Sequence, residues 1–280
     1  MTIFFYLLVI AFLILFPSDT ADTALEAMRI WGTSIVPALF PYMVFSRLLC
    51  KSLQTLSLPA EPAAVLLGML GGSPSGAAVI AAQSEWLSPG SVYPLCTLAG
   101  TISPMFILGT VQSWTGDARL CRLLLVCHWL SALLSAGIVW MLCRRKAQSF
   151  RFTSSSVSSA LSNPIVQSID AILQVGGCII LYSVLSGILG RILSPFPFMQ
   201  PFVHAALEIS GGVHAICQIR LTDSAKHVLL AAALGFGGLS ILSQNHALLR
   251  PLGIRMRHLF SFAVMRSAAS ALLMILFSIS

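Results

Sequence analysis

Charged side chains are scarce in this sequence. Only 9% of its 280 residues are Asp, Glu, Lys or Arg, where a soluble domain carries about a quarter. That shortage excludes a fully water-exposed surface, and no polar stretch is long enough to fold as a separate soluble domain. Acidic residues are rarer still, 9 against 16 Lys and Arg. The basic residues sit in short loops and form no stripe interleaved with exposed aromatics, so nucleic acid is not an expected partner. The 7 cysteines are scattered through apolar segments. No C-x-x-C and no Cys/His cluster at metal spacing occurs, which leaves them as small buried apolar residues and predicts neither a metal nor a cofactor. The Walker, H-E-x-x-H and G-x-S-x-G signatures are also missing, so nothing suggests ATP hydrolysis and the chain is not expected to be an enzyme.

What the chain does hold is apolar residues, 57% of the total, with a mean hydropathy of +0.90. The expected fold class is all-α, a polytopic membrane protein with about seven spans plus two re-entrant hairpins. Thr2 to Phe16 lacks a basic n-region and reads as a retained first transmembrane helix, segment 1–17, with a cleaved signal peptide as the alternative. Asp19, Asp22 and Glu26 read as a polar turn. Met28 to Cys50 reads as a span bent at Pro37 and Pro41. The next segment opens at Glu61 and Pro62 and is interrupted by Gly71 to Gly76. Each flank is too short to cross about 30 Å of hydrocarbon at about 1.5 Å per residue, which predicts a hairpin over roughly 61–88. Val92 to Val111 crosses once, broken at Gly100 to Pro104, and Leu120 to Cys143 is an uninterrupted span. The Ser-rich stretch 144–163 reads as a cytoplasmic linker.

The order then recurs. Ile165 to Leu193 is a span, and Phe202 to Ile219 is a second hairpin within about 201–220. Val228 to Leu248 is a crossing broken at Gly235 to Ser240, and Leu259 to Ile279 is plain. Segments 24–143 and 164–280 superimpose with an offset of about 136 residues. Three crossings and one hairpin per repeat would turn the second upside down, giving two inverted repeats. Nine Lys and Arg fall on one side of the proposed membrane and six on the other. That asymmetry puts the linker and the N-terminus in the cytoplasm and the C-terminus outside. The cluster Arg144-Arg145-Lys146 carries most of the argument.

Paired interruptions of apolar segments are the best sequence pointer to a transporter site. Ser73 and Ser75 lie at the first hairpin tip and Ser210 at the second. Thr101, Ser103, Ser240 and Gln244 come from the two broken crossings. Together with Glu208 these form the candidate substrate-binding set. Glycines at the breaks let a ligand touch backbone, while close helix packing is the competing use of small residues. An unpaired carboxylate inside an apolar segment costs several kcal/mol, so Glu208 is expected to be paired, protonated or wet. His204 lies four residues earlier on the same helical face and is a candidate charge partner. Arg266, in the last span, is another: it could neutralise Glu208, hold a substrate anion or snorkel. His128 and His214 read as interhelical hydrogen-bonding groups.

Several of these strings resemble one known family. Leu67-Gly68-Met69-Leu70-Gly71-Gly72-Ser73-Pro74-Ser75-Gly76-Ala77 is similar to the S-G-F-P-S/A-G-A motif of the YlbJ family of sporulation integral membrane proteins. Ser103-Pro104-Met105-Phe106-Ile107-Leu108-Gly109-Thr110-Val111 is similar to its N-P/S-P-L-F-I-x-G-x-V segment. Leu207 to Gly212 resembles L-E-I-T-x-G, and Gly235 to Ser240 with Gln244 resembles G-F-G-G-L-x…Q. Met28 to Trp31, with Pro37 and Pro41, also fits, and the resemblance covers nearly the whole chain.

The resemblance implies membership of a wider group with a nucleoside-transporter-like gate domain, and with it inverted repeats and a role in endospore formation. Members of the YlbJ family are implicated in moving dipicolinate towards the developing spore. Carried over by position, Ser73, Ser75, Ser103, Glu208, Ser210, Ser240 and Gln244 would line the pathway. The chain departs from the pattern at Ala99-Gly100-Thr101-Ile102, where members often carry Asn and a small polar residue.

The function expected is that of a secondary transporter for a small polar or anionic solute, possible candidates being dipicolinate and a nucleoside-like molecule. It would work by alternating access between the repeats, in the cell membrane or a forespore membrane. The expected partners are the solute, the lipid bilayer, a coupling proton or sodium ion, and a second copy of the chain. The alternative is a non-transporting membrane scaffold for spore maturation.

Overall fold

The computed structural model describes residues 2–55, 60–88, 90–143 and 163–279, and their regular structure is helical throughout. Positions 144–162 lie outside the described residues, and with them the basic cluster on which the orientation argument leaned.

Helix α1 (Thr2–Leu15) is uniformly apolar. Phe16 leaves helical geometry ahead of Pro17, which opens α2 (Pro17–Ile30), and the two helices are bent by 99°. The polar turn expected at Asp19 to Glu26 is therefore corrected to a helix. Pro17 supplies a pre-set φ at the first helical position, Asp19 in the first turn and Arg29 in the last complement the dipole, and buried Ala27 marks the packed face. Asp22 and Glu26 stay exposed on the other face. Asp19 pairs with Arg191 of the later helix α9, and the Arg191 guanidinium lies 4.0 Å from the Phe16 ring centroid.

A wide turn, Trp31–Ile35, joins α2 to α3 (Val36–Thr55). Pro37 and Pro41 each withdraw a backbone donor, and the helix absorbs the loss by opening one turn rather than ending. The Trp31 ring packs on Gly176, and its Nε1 donates to Ile172 O at 3.2 Å.

The first hairpin is α4 (Ala60–Gly71) and α5 (Ser75–Ala82). Helix α6 (Val92–Leu98) is followed by the unwound stretch 99–103, a wide turn Phe106–Val111 and α7 (Gln112–Thr115). Helix α8 (Ala118–Cys143) and α9 (Pro164–Ile192) are continuous. The second hairpin is α10 (Gln200–Leu207) and α11 (Ile209–Gln218). Helices α12 (Asp223–Phe236) and α13 (Gly238–Leu249) meet at Gly237, and α14 (Met256–Ile279) closes the chain.

Among the described residues, four helical segments are long and apolar enough to cross a membrane: Ala118–Cys143, Pro164–Ile192, Asp223–Leu252 and Met256–Ser278. The bent α1–α2 pair raises the number to five if it forms one span. The expectation of about seven exceeds this count for local reasons. Arg47 and Lys51 dilute the apolar character of α3, and the break at 99–103 cuts the α6–α7 segment into short pieces.

Packing mixes the two sequence halves. Helices α6 and α8 lie against α14, and α12 lies against both α8 and α14. Helices α2, α3 and α10 instead gather around α9, and α13 wedges between α5, α9 and α10. Both hairpins fold back through small residues. A Cβ on Gly76 would lie 3.1 Å from Gly68 Cα, and one on Gly212 would overlap Ala205.

Candidate functional site

Among the described residues, the four interruptions at 71–76, 99–103, Glu208 and Gly237 touch in the order first, second, fourth, third. Gly72, at φ +65°, packs flat on the second break, because a Cβ there would fall on the Ser103 backbone amide. The Ser73 amide donates to Thr101 O at 2.6 Å, and Ser73 Oγ donates to Ala99 O at 2.6 Å. Asn245 of α13 joins this pair, its Nδ2 donating to Ser73 Oγ at 3.0 Å and to Ala99 O at 3.3 Å. The second break approaches the fourth, where a Cβ on Gly237 would lie 3.9 Å from Gly100 O. The fourth approaches the third, where a Cβ on Gly238 would lie 3.2 Å from Leu207 O and 3.4 Å from Ile209 N. Glycines at φ +82° make both approaches possible.

A buried cation pins the second and fourth breaks together. Arg266, 1% exposed, donates from Nη1 to Thr97 O at 2.8 Å and from Nε to Gly235 O at 3.3 Å. These carbonyls belong to the C-terminal ends of α6 and α12, where the helix dipole is negative and favours a cation. The guanidinium is held against Gly100, where any side chain would overlap it.

At the third break Glu208, 5% exposed, leaves helical geometry at φ −138°, ψ 123° and becomes the N-cap of α11. Its Oε1 accepts from Ser210 N at 3.1 Å and its Oε2 from Gly211 N at 2.9 Å. The carboxylate thus meets two of the free amides that every helix start presents.

No protein-family model and no solved structure matches this chain. Among curated proteins, the sporulation integral membrane protein YlbJ of Bacillus subtilis (strain 168) is 22% identical over 329 aligned positions, which take in 97% of this chain and 81% of that protein. The chain is therefore similar to that protein along nearly its whole length. The resemblance of the local motifs is thus accompanied by a match over nearly the whole chain.

Within this chain the predicted residues divide into groups. Ser73 and Thr101 come together, and Thr101 Oγ1 turns back to Leu98 O at 2.8 Å. Ser75 is 1% exposed, and its hydroxyl has no partner. Ser103 Oγ accepts from Phe106 N at 3.3 Å and so starts the next helical turn. Ser210 serves Glu208 through its amide. Ser240 and Gln244 pair with each other, Nε2 donating to Oγ at 3.2 Å.

The expected Glu208–His204 pair is not formed. The carboxylate is engaged by amides, while His204 Nδ1 shares a 2.5 Å hydrogen bond with Ser186 Oγ of α9. Spacing put the two on one helical face, but Glu208 lies past the end of α10, where that periodicity stops. Arg266 neither snorkels nor meets Glu208, since its bonds go to Thr97 and Gly235 in the interior.

Sequence reasoning passed over Asn245 and Thr97. A signal for Asn245 existed, a second amide side chain directly after Gln244 in an apolar run. Thr97 contributes only its carbonyl, which no side-chain pattern reveals.

Proposed function

We propose that this chain is a secondary membrane transporter, a permease, for a small polar or anionic solute, handled where the four unwound segments meet. One observation carries the reading: interrupted backbone from both halves of the chain converges on a single junction. Such backbone is tolerated at membrane depth where protein or a water-lined cavity satisfies it, and paired interruptions mark transporter sites. Ser75 Oγ and Asn245 Oδ1 are buried at this junction without partners, which leaves hydrogen-bonding capacity for a ligand.

The finer elements of the proposal are two inverted gate-like repeats, about seven crossings with re-entrant hairpins, and proton or sodium coupling. They extend to residence in the cell membrane or a forespore membrane with the N-terminus cytoplasmic, and to a sporulation role like that in the relative's name. Dipicolinate and nucleoside-like molecules are the first solutes to try.

The test is uptake into proteoliposomes with and without each ion gradient. Wild-type protein is expected to move at least one candidate solute, and Glu208→Gln to abolish uptake while remaining in the membrane. Transport of no candidate under either gradient refutes the permease. Normal uptake by Glu208→Gln removes the carboxylate from the mechanism.

A specific observation favours a second reading, a membrane scaffold. Gly72 and Gly238 at the junction make close backbone-to-backbone contacts, the use that helix packing makes of small residues. Under that reading, alanine at Ser73, Ser75 or Gln244 leaves sporulation intact while alanine at the glycines does not.

A further inference from the structure

Beneath the second break lies a set of buried donors with nothing to donate to. Ile102 N donates to His128 Nε2 at 2.8 Å, so the neutral imidazole carries its proton on Nδ1. That Nδ1–H has no acceptor, and His128 is 0% exposed. On the other side of the same short stretch, Arg266 is tied through Nε and Nη1, while Nη2 has no partner. Gly100 touches the guanidinium and Ile102 touches the imidazole. Two residues of chain therefore separate the side chains' anchoring points, a span of at most about 7 Å. Ser270, one turn beyond Arg266 on α14, is also 0% exposed with an unpartnered hydroxyl. Among the described residues, no carboxylate pairs with Arg266.

Such a group of atoms is positive, rich in donors and poor in acceptors, and buried donors without acceptors are costly. The chemistry it lacks is a small negative acceptor. A carboxylate pairs best with the two-pronged face of the guanidinium, and Nε and one N–H of Nη1 are already committed to carbonyls. What remains is a set of single N–H and O–H donors, and these suit a spherical ion.

We propose that Arg266 Nη2 and His128 Nδ1 form a halide site under the second break, with Ser270 Oγ as a third donor. The ion would offset the Arg266 charge and stabilise the α6–α8–α14 contact. The site uses none of the Glu208 bonds, and its test needs no transport assay.

The full-length protein is purified in detergent in sodium gluconate and titrated with sodium chloride or sodium bromide at constant ionic strength. Both halides are expected to raise the melting temperature in proportion to ln(1 + c/Kd), c being the halide concentration, by about 3 °C at ten times the dissociation constant. Bromide-soaked crystals of the unaltered chain are expected to show an anomalous peak between Arg266 Nη2 and His128 Nδ1. Arg266→Gln should lose the halide response. Because that change also cuts two bonds holding α6 and α12, the bromide peak in the unaltered chain is the deciding measurement. A water in place of the peak overturns the proposal, as does a melting temperature equal in gluconate and chloride.

Discussion

Gly72→Ala strains the junction at its tightest backbone contact. The residue sits at φ +65°, a conformation that costs alanine about 1–2 kcal/mol. The new methyl would also overlap the Ser103 amide and lie 2.8 Å from Ile102 C and Ser103 Cα. These are main-chain atoms that cannot rotate away, and overpacking of this kind costs about 1–3 kcal/mol. The expected loss is therefore about 2–5 kcal/mol. Gly237→Ala separates the two contributions. Its φ is +82°, but its nearest neighbours would lie at 3.6 and 3.7 Å, ordinary contact distances. It should lose only the strain, about 1–2 kcal/mol. Gly109→Ala is the control, with nothing within 4 Å of the added carbon, and should change stability by less than about 1 kcal/mol. Reversible unfolding by SDS in mixed micelles, followed by circular dichroism, gives the three values. If Gly72→Ala falls within about 0.5 kcal/mol of Gly237→Ala, the first and second breaks do not meet as described.

Two smaller effects follow from bonds at the edges of the site. Tyr42 of α3 donates its hydroxyl to Leu67 O at 2.5 Å, so Tyr42→Phe should cost about 0.5–1.5 kcal/mol in the same assay; an unchanged midpoint would show that the ring packing on Gly71 does the holding. Asp117 precedes α8, and the amides of Leu120 and Arg119 hold its carboxyl below the ordinary range. Its contribution to stability is present above the unfolded value, about 3.9, and is lost as pH falls through the lower folded value. Melting curves of the wild type and Asp117→Asn should separate near neutral pH and converge in acid, and parallel curves at every pH would refute the cap.

The Gly-, Ser- and Pro-rich strings at the four breaks were legible because such residues interrupt apolar runs in one short window. Helices α8 and α14 were legible for the opposite reason, as long apolar runs without interruption. Helix α2 was misread because its carboxylates suggested a turn. The decisive groups were instead Pro17 ahead of them and Ala27 on the buried face, with Arg191 far along the chain. The junction's cross-links were illegible in kind. Asn245 is 172 positions from Ser73, and Arg266 is 169 from Thr97. Local periodicity carries no information about such pairs. Glu208 was conspicuous as a buried acid, but the tie through two amides depends on α10 ending one residue before it.

Arg266 also bears on how the molecule can move. Its two tethers run to α6 from one half of the sequence and α12 from the other, and α8 of the first half is packed against both α12 and α14. Those tethers and contacts join the four helices across the sequence halves. A dividing plane drawn between the sequence halves would have to sever them. One that leaves them intact runs between this group and the helices around α9, and that is where any displacement accompanying the proposed transport would be sought.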